Sequence, residues 1–184
     1  MIREHVESAY THLFEKYGLG TTVWSPLGGG ILTGKYNDAN IPEGSRFDVS
    51  DMLKDFSWNK YIGDDKRDKT IALLKGLEDT SKELGVSQAE LALAWIIVNK
   101  DVSSCIIGAS RLSQIESNLK AVELATKWTP ELEEKLGGIL ANQPPSVISM
   151  LTFQPYPARR PKRIKYDMEL GKVELQDSEL GQYE

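Results

Sequence analysis

The chain has 184 residues, enough for one domain with a real core, and 40% hydrophobic with 27% charged residues is ordinary globular composition. A net charge of -5 and a pI near 5.2 argue against nucleic acid or an anionic membrane as the main partner, since both call for a basic face, and leave a small molecule or a protein. Cys105 is alone, so no intrachain disulfide is available; with no secretory apolar region at the start and no long apolar run, the expectation is a soluble cytoplasmic protein without membrane insertion.

Val6, Ala9, Tyr10, Leu13, Phe14 and Tyr17 recur at helical steps, which predicts a surface helix with Lys16 in its last turn and Gly18 as a left-handed cap. His5 and His12 lie on it seven positions apart, but no third ligand stands nearby; they read as solvent-facing residues and no metal is expected. Thr21, Thr22, Val23 and Trp24 have the β-branched and aromatic content of a buried strand, which Ser25-Pro26-Leu27-Gly28-Gly29-Gly30 stops abruptly. Three glycines permit positive φ and leave backbone N–H groups facing outward, which suits an anion such as a phosphate; a tight turn is the other reading. Gly29, Gly34 and Lys35 fall at P-loop spacing, but the position that needs Ser or Thr holds Tyr36, and no GxGxxG follows a strand.

Ile41 to Arg46 is a polar loop, and Phe47 to Asp65 reads as a charged excursion from the core with Phe56, Trp58 and Tyr61 as scattered anchors. Ile71, Leu74 and Leu77 mark an amphipathic helix ending near Leu84-Gly85. Ser87 and Glu90 form a capping box for the next helix, apolar nearly all round from Leu91 to Val98 and so expected to lie against a sheet. Val102 to Ile107 predicts a second strand, ended by Gly108-Ala109-Ser110. A helix follows from Leu112 to Ala125, with Ser113 and Glu116 spaced as a capping box. Its N-terminus, with Arg111, Ser110 and Gln114, forms a second candidate anion site, or simply a well-capped helix. Thr129-Pro130-Glu131 opens a last helix with the stripe Leu132, Leu136, Ile139 and Leu140. Beyond Leu151, Pro155, Pro157 and Pro161 mix with a basic run and then an acidic end, the composition of a solvated tail.

Strand, helix, strand, helix order implies parallel strands with crossover helices, and both candidate loops sit at strand carboxyl ends, one rim of such a sheet. A phosphate held by the loops after strands 7 and 8 of a (β/α)8 barrel has this form. The run YGLGTTVWSPLGGGILTGKY, then IPEGSR, then VSSCIIGASRLSQIESN, resembles the C-terminal half of the aldo-keto reductases, most closely the branch of voltage-gated potassium channel beta subunits and their fungal relatives. The resemblance covers residues 2–142 and implies an α/β fold: a partial (β/α)8 TIM barrel, strands 7 and 8 with their helices, over residues 1–145, followed by an irregular tail over 146–184.

The resemblance also implies NADP(H) as cofactor. Trp24 would stack on the nicotinamide, and Ser25, Pro26, Leu27, Gly28 and Gly30 would line the diphosphate. Lys35 and Arg46 would offer cationic contacts, and Gly108, Ser110, Gln114 and Asn118 fall at adenosine and 2′-phosphate positions. Ser117 stands where the branch often carries Glu, the carboxylate being displaced to Glu116, and Gly44 stands where a relative can carry an aromatic residue. The family's catalytic Asp, Tyr, Lys and His come from its first half, and no position here matches them, so no catalytic residue is assigned. Two functions from different classes follow. One is the NADP(H)-binding part of a reductase of aldehydes or ketones, with a carbonyl substrate once a first half completes it. The other is a truncated, inactive paralogue acting as a binding module, through self-association or a channel-like partner.

Overall fold

The structure, a computed structural model, describes residues 3–63, 65–144, 163–167 and 172–176. The chain divides into two compact units, Met1–Pro145 and Ser146–Glu184. The first opens with a π-helical turn His5–Ala9, α1 (Thr11–Tyr17), β1 (Thr21–Trp24) and a 3₁₀ segment Gly28–Thr33. Then come α2 (Asp51–Leu53), a second π-helical turn Lys54–Trp58, α3 (Asn59–Ile62), α4 (Arg67–Leu84), α5 (Gln88–Ile97), β2 (Val102–Ile106), α6 (Leu112–Thr126) and α7 (Pro130–Leu140). The expected first helix is thus split at Tyr10, but its end is as its residues dictate: Gly18 takes φ 62° and its N–H donates to the Phe14 carbonyl.

The helix starts follow the same logic. Ser87 Oγ accepts from the Glu90 amide while Glu90 Oε2 accepts from the Ser87 amide, and Thr129 caps α7 with Pro130 in its first turn. α4 closes on Gly85 at φ 67°.

β1 and β2 pair in parallel, with Thr21 opposite Val102, Val23 opposite Cys105 and Trp24 opposite Ile106. A register slip between Thr21 and Thr22 passes over Ser103. Just before β1 a Cβ on Gly20 would collide with the Ser103 side-chain hydroxyl, so a larger residue there would require Ser103 to turn aside. The crossover between the strands contains α5, whose Leu91 through Ile96 are all buried, as an apolar surface on every side requires. α5 packs against β2 and α6 as well as α4. Leu74 and Leu77 of α4 and Leu136 of α7 are fully enclosed in the same core, each contributing roughly 1.5–3 kcal/mol by burial.

One expectation fails. The segment from Phe47 to Asp65 is no excursion: Phe47 (1% exposed), Trp58 (8%) and Ile62 (2%) belong to the main core, whereas Val49 (72%), Met52 (74%) and Phe56 (59%) stay outside. Its short helical turns hold these widely spaced side chains inward without a period that sequence pattern would register. The tail also departs from an irregular chain. In the second unit β3 (Arg163–Asp167) and β4 (Lys172–Gln176) pair antiparallel, with Ile164 opposite Leu175 and Tyr166 opposite Val173. Both segments alternate apolar and polar residues, the period of a strand. The proline-rich run before Arg163 lies outside the described residues.

Arg3 ties the start of the first unit to its end. Its guanidinium pairs with Glu7 at 3.2 Å and Glu133 at 3.3 Å and lies 5.8 Å from the centre of the Trp95 ring. Burial pushes the Glu7 carboxyl above its ordinary 4.5, against the pull of Arg3 and of the Asn99 amide that donates to it. The folded chain therefore holds this proton more tightly than the unfolded one, so stability from this group is present below 4.5 and is lost as pH rises through the higher folded value. The unfolding free energy of Glu7→Gln relative to wild type should accordingly increase with pH across that window, as read from paired urea titrations.

Candidate functional site

Because β1 and β2 run parallel and end together at Trp24 and Ile106, the chain leaves both strands on the same rim. The Gly28 turn follows the first and the Gly108 turn the second. The Trp24 side chain is 67% exposed there. Ser25, immediately after it, adopts φ 50°, a conformation that a residue with a Cβ rarely takes and that marks local strain.

The glycine turn is built differently from the sequence expectation of bare outward amides. The Gly28 amide donates to the Ser25 carbonyl and the Gly30 amide to the Leu27 carbonyl, each at 2.9 Å, because the run of positive φ at Gly28, Gly29 and Gly30 curls the chain back on itself. Gly29 lies directly on the core: a Cβ there would stand 3.2 Å from the Phe47 ring and 3.3 Å from Ser57 Oγ. Beneath it Tyr36, Phe47 and Trp58 form an aromatic cluster with ring centres 5.0–5.7 Å apart. Tyr36 is fully buried and its hydroxyl has no partner among the described residues.

The loop after the turn is also anchored. The side-chain amides of Asn37 and Gln88 hydrogen-bond reciprocally, at 2.9 and 3.3 Å, and Asn37 donates to Glu78 at 3.2 Å. This fixes the backbone next to Lys35, whose ammonium stays exposed, 5.5 Å from the Tyr36 ring centre. Arg46 is exposed in the following loop, where the Gly44 amide donates to Asp48 and the Ser45 amide to the Pro42 carbonyl. Each candidate cation thus stands on a braced loop while its own charge faces water.

On the second strand, Arg111 rather than Ser113 precedes the helix, so the expected Ser113–Glu116 box is not formed. Gln114 Oε1 takes the amides of Ser110 (2.8 Å) and Arg111 (3.2 Å) and the Ser110 hydroxyl (3.2 Å). The Ser110 hydroxyl is therefore committed to the turn, and the Gln114 side-chain nitrogen is the donor left over. Gly108, Ser110 and Gln114 are exposed; Asn118, one turn further into α6, is buried at 8%. Beside it the Ser117 hydroxyl donates to Glu90 Oε1 at 2.6 Å, so the carboxylate that caps α5 also ties α5 to α6.

A cleft of about 290 Å³ adjoins the first strand. Trp24, Ser25, Pro26 and Gly28 are on its wall, whereas Lys35, Arg46, Gly108, Ser110, Gln114 and Asn118 are not. The predicted residues therefore form two groups, one after each strand, united by their common rim and not by one cavity. The half-buried Cys105 sits within β2, and burial pushes its thiol up, away from the thiolate a nucleophile needs. Among the described residues no three His, Cys, Asp or Glu side chains are grouped to hold a metal ion, and no helix is long and apolar enough to cross a membrane. Sequence reading missed the strain at Ser25, the aromatic support under Gly29 and the Glu90–Ser117 link. Of these, only the aromatics at Phe47 and Trp58 left a visible signal.

The Glu90–Ser117 bond gives a physical reason for the residue at 117: a carboxylate there would meet the Glu90 carboxylate. Ser117→Glu should lower the unfolding free energy by about 1–3 kcal/mol, the range for a buried hydrogen-bonding group deprived of its partner. Ser117→Ala should cost less, both being read from urea unfolding above pH 7.

The sequence pattern of the Aldo/keto reductase family matches residues 1–136. A probable voltage-gated potassium channel subunit beta of Oryza sativa subsp. japonica is 42% identical over 142 residues, covering 77% of this chain and 42% of that protein. The probable subunit of the same name in Arabidopsis thaliana is 41% identical over 142 residues, with 77% and 42% covered. A putative voltage-gated potassium channel subunit beta of Schizosaccharomyces pombe is 41% identical over 140 residues, with 76% and 39% covered. The chain spans about two fifths of the length of these relatives. With three quarters of its residues inside the family pattern, the chain belongs to the aldo/keto reductase family.

Proposed function

We propose that this chain is the NADP(H)-binding, C-terminal part of an aldo/keto reductase of the potassium-channel-beta type, with β1 and β2 as strands 7 and 8 of a (β/α)8 barrel. The observation that carries this reading is the parallel pairing of the strands, which sends the two candidate loops from one rim. The side chains there suit a phosphorylated dinucleotide. The exposed Trp24 ring offers a stacking face for the nicotinamide, and the turn from Ser25 through Leu27 to Gly28 and Gly30 gives the diphosphate a close backbone approach. Lys35 and Arg46 bring charge that needs no rearrangement of buried groups, and Gly108, Ser110, Gln114 and Asn118 would lie at the adenosine and its 2′-phosphate, with the Gln114 nitrogen as the uncommitted donor.

When bound, NADPH supplies the hydride for reducing an aldehyde or ketone. The role of this chain's own residues is to hold and orient the cofactor. The catalytic acid and its partners would come from the part of the barrel that these residues do not include, and the setting would be the cytoplasm.

Titrating the 184-residue chain into NADPH and following nicotinamide fluorescence tests the proposal. Saturable binding should appear, weaker for NADH, and Arg46→Ala should weaken NADPH at least tenfold, as expected for loss of a charge-assisted hydrogen bond of about 1.5–3 kcal/mol. Equal affinity for NADH and NADPH, or no binding at millimolar cofactor, contradicts it.

A further inference from the structure

We propose that the first turn of α5 is the spacer of the cofactor site, with Gln88 and Glu90 as positioning residues that hold the two rim turns at the separation one dinucleotide needs. The proposal rests on the reading of this rim as an NADP(H) site and adds the element that sets its geometry.

α5 ends at Ile97, shortly before β2 begins at Val102, so it runs opposite to the strands and its first turn lies at the rim where they end. Two side chains of that turn are polar and buried, Gln88 at 5% and Glu90 at 7% exposed. Positions two apart on a helix point about 200° away from each other, so the pair reaches to opposite sides.

Gln88 reaches the loop after β1. It exchanges hydrogen bonds with the Asn37 amide at 2.9 and 3.3 Å, and its Oε1 would stand 3.5 Å from a Cβ on Gly34. Gly34 immediately precedes Lys35 and Asn37 follows two residues later, so the backbone that carries the ammonium is held on both sides. Glu90 reaches α6. Its Oε1 accepts from the Ser117 hydroxyl at 2.6 Å while its Oε2 accepts from the Ser87 amide at 3.1 Å. Ser117 stands one helical turn beyond Gln114 and next to Asn118.

One turn of helix thus grips each half of the site. The turn itself has little freedom, because Leu91 through Ile96 behind it are buried and Asn37 is also tied to Glu78 of α4 at 3.2 Å. Buried polar groups with every partner in place specify a single arrangement. The strand pair fixes where the chain leaves the rim, but Lys35 and Gln114 lie well beyond the strand ends, and the α5 turn is what connects them. A ligand that touches both groups gains from the connection: once one end is bound, the other binds at an effective concentration set by the spacing, and a loosened joint lowers it. Loss of either joint therefore weakens a dinucleotide and spares a fragment that uses one turn alone.

The test titrates the full chain with NADPH and, separately, with adenosine 2′,5′-bisphosphate, which reaches only the turn after β2. Gln88→Ala frees the Lys35 loop, and Ser117→Ala frees α6 while leaving the α5 cap in place. Each should weaken NADPH about tenfold and move the bisphosphate by less than about twofold, as lost effective concentration requires. Glu90→Gln keeps an amide that can pair with the Ser117 hydroxyl and suits a capping box, so it should stay near wild type. If circular dichroism shows Gln88→Ala to be misfolded, Asn37→Ala cuts the same joint from the loop side and decides. Equal losses for NADPH and the bisphosphate, or NADPH affinity indifferent to both joints, overturn this inference and leave the proposed function standing. A wild-type chain that binds no NADPH, or binds it no more tightly than the bisphosphate, contradicts the proposed function and removes this inference with it.

Discussion

The parallel hydrogen-bonded pairing of β1 with β2 is the constraint on which the rest depends. Two strands separated by some eighty residues are brought side by side by a crossover whose last helix, α5, is buried on all sides. Parallel direction has one functional consequence that an antiparallel pair would not have. The loops after Trp24 and after Ile106 leave the same edge, so residues that are distant in sequence can face one ligand.

Around that rim the chain spends its packing on the support of loops. The glycine turn rests on Phe47 and Ser57, and Tyr36 closes an aromatic cluster under it. The reciprocal amide pair of Asn37 and Gln88 holds the next loop to α5, and Glu90 links the start of α5 to α6 through Ser117. These contacts are buried or half-buried, while Trp24, Lys35, Arg46, Ser110 and Gln114 remain exposed. Braced backbone beneath exposed side chains is what the proposed binding surface requires, since little ordering is then left to be done on association. The positive φ at Ser25 fits this pattern, since strain of this sort persists only where the surroundings over-determine the conformation.

Much of this was legible in the residues. Thr21 to Trp24 and Val102 to Ile106 are β-branched or apolar runs cut short by glycine, and the structure makes them strands within a residue of the expected bounds. Gly18, Gly85, Ser87 with Glu90, and Thr129 with Pro130 mark helix ends by chemistry local to the chain, so no tertiary knowledge was needed. The failures have a common physical origin in long-range contact. Phe47, Trp58 and Ile62 sit at no regular spacing, and only the three-dimensional path of short helical turns puts them into one core. The glycine amides close their own turn, which depends on φ values that composition permits without dictating. The cap of α6 falls on Arg111 with Gln114, because the turn through Ser110 delivers two amides to one side-chain oxygen.

The claim that matters most is that the two turns serve one ligand. Amide chemical shifts of the isotope-labelled chain during NADPH titration test it most directly. A shared site predicts that the amides of Gly28 to Gly30 and those of Ser110 and Gln114 shift together along one binding curve, with the Trp24 indole following them. Shifts confined to one turn, or two curves with separate midpoints, would contradict it.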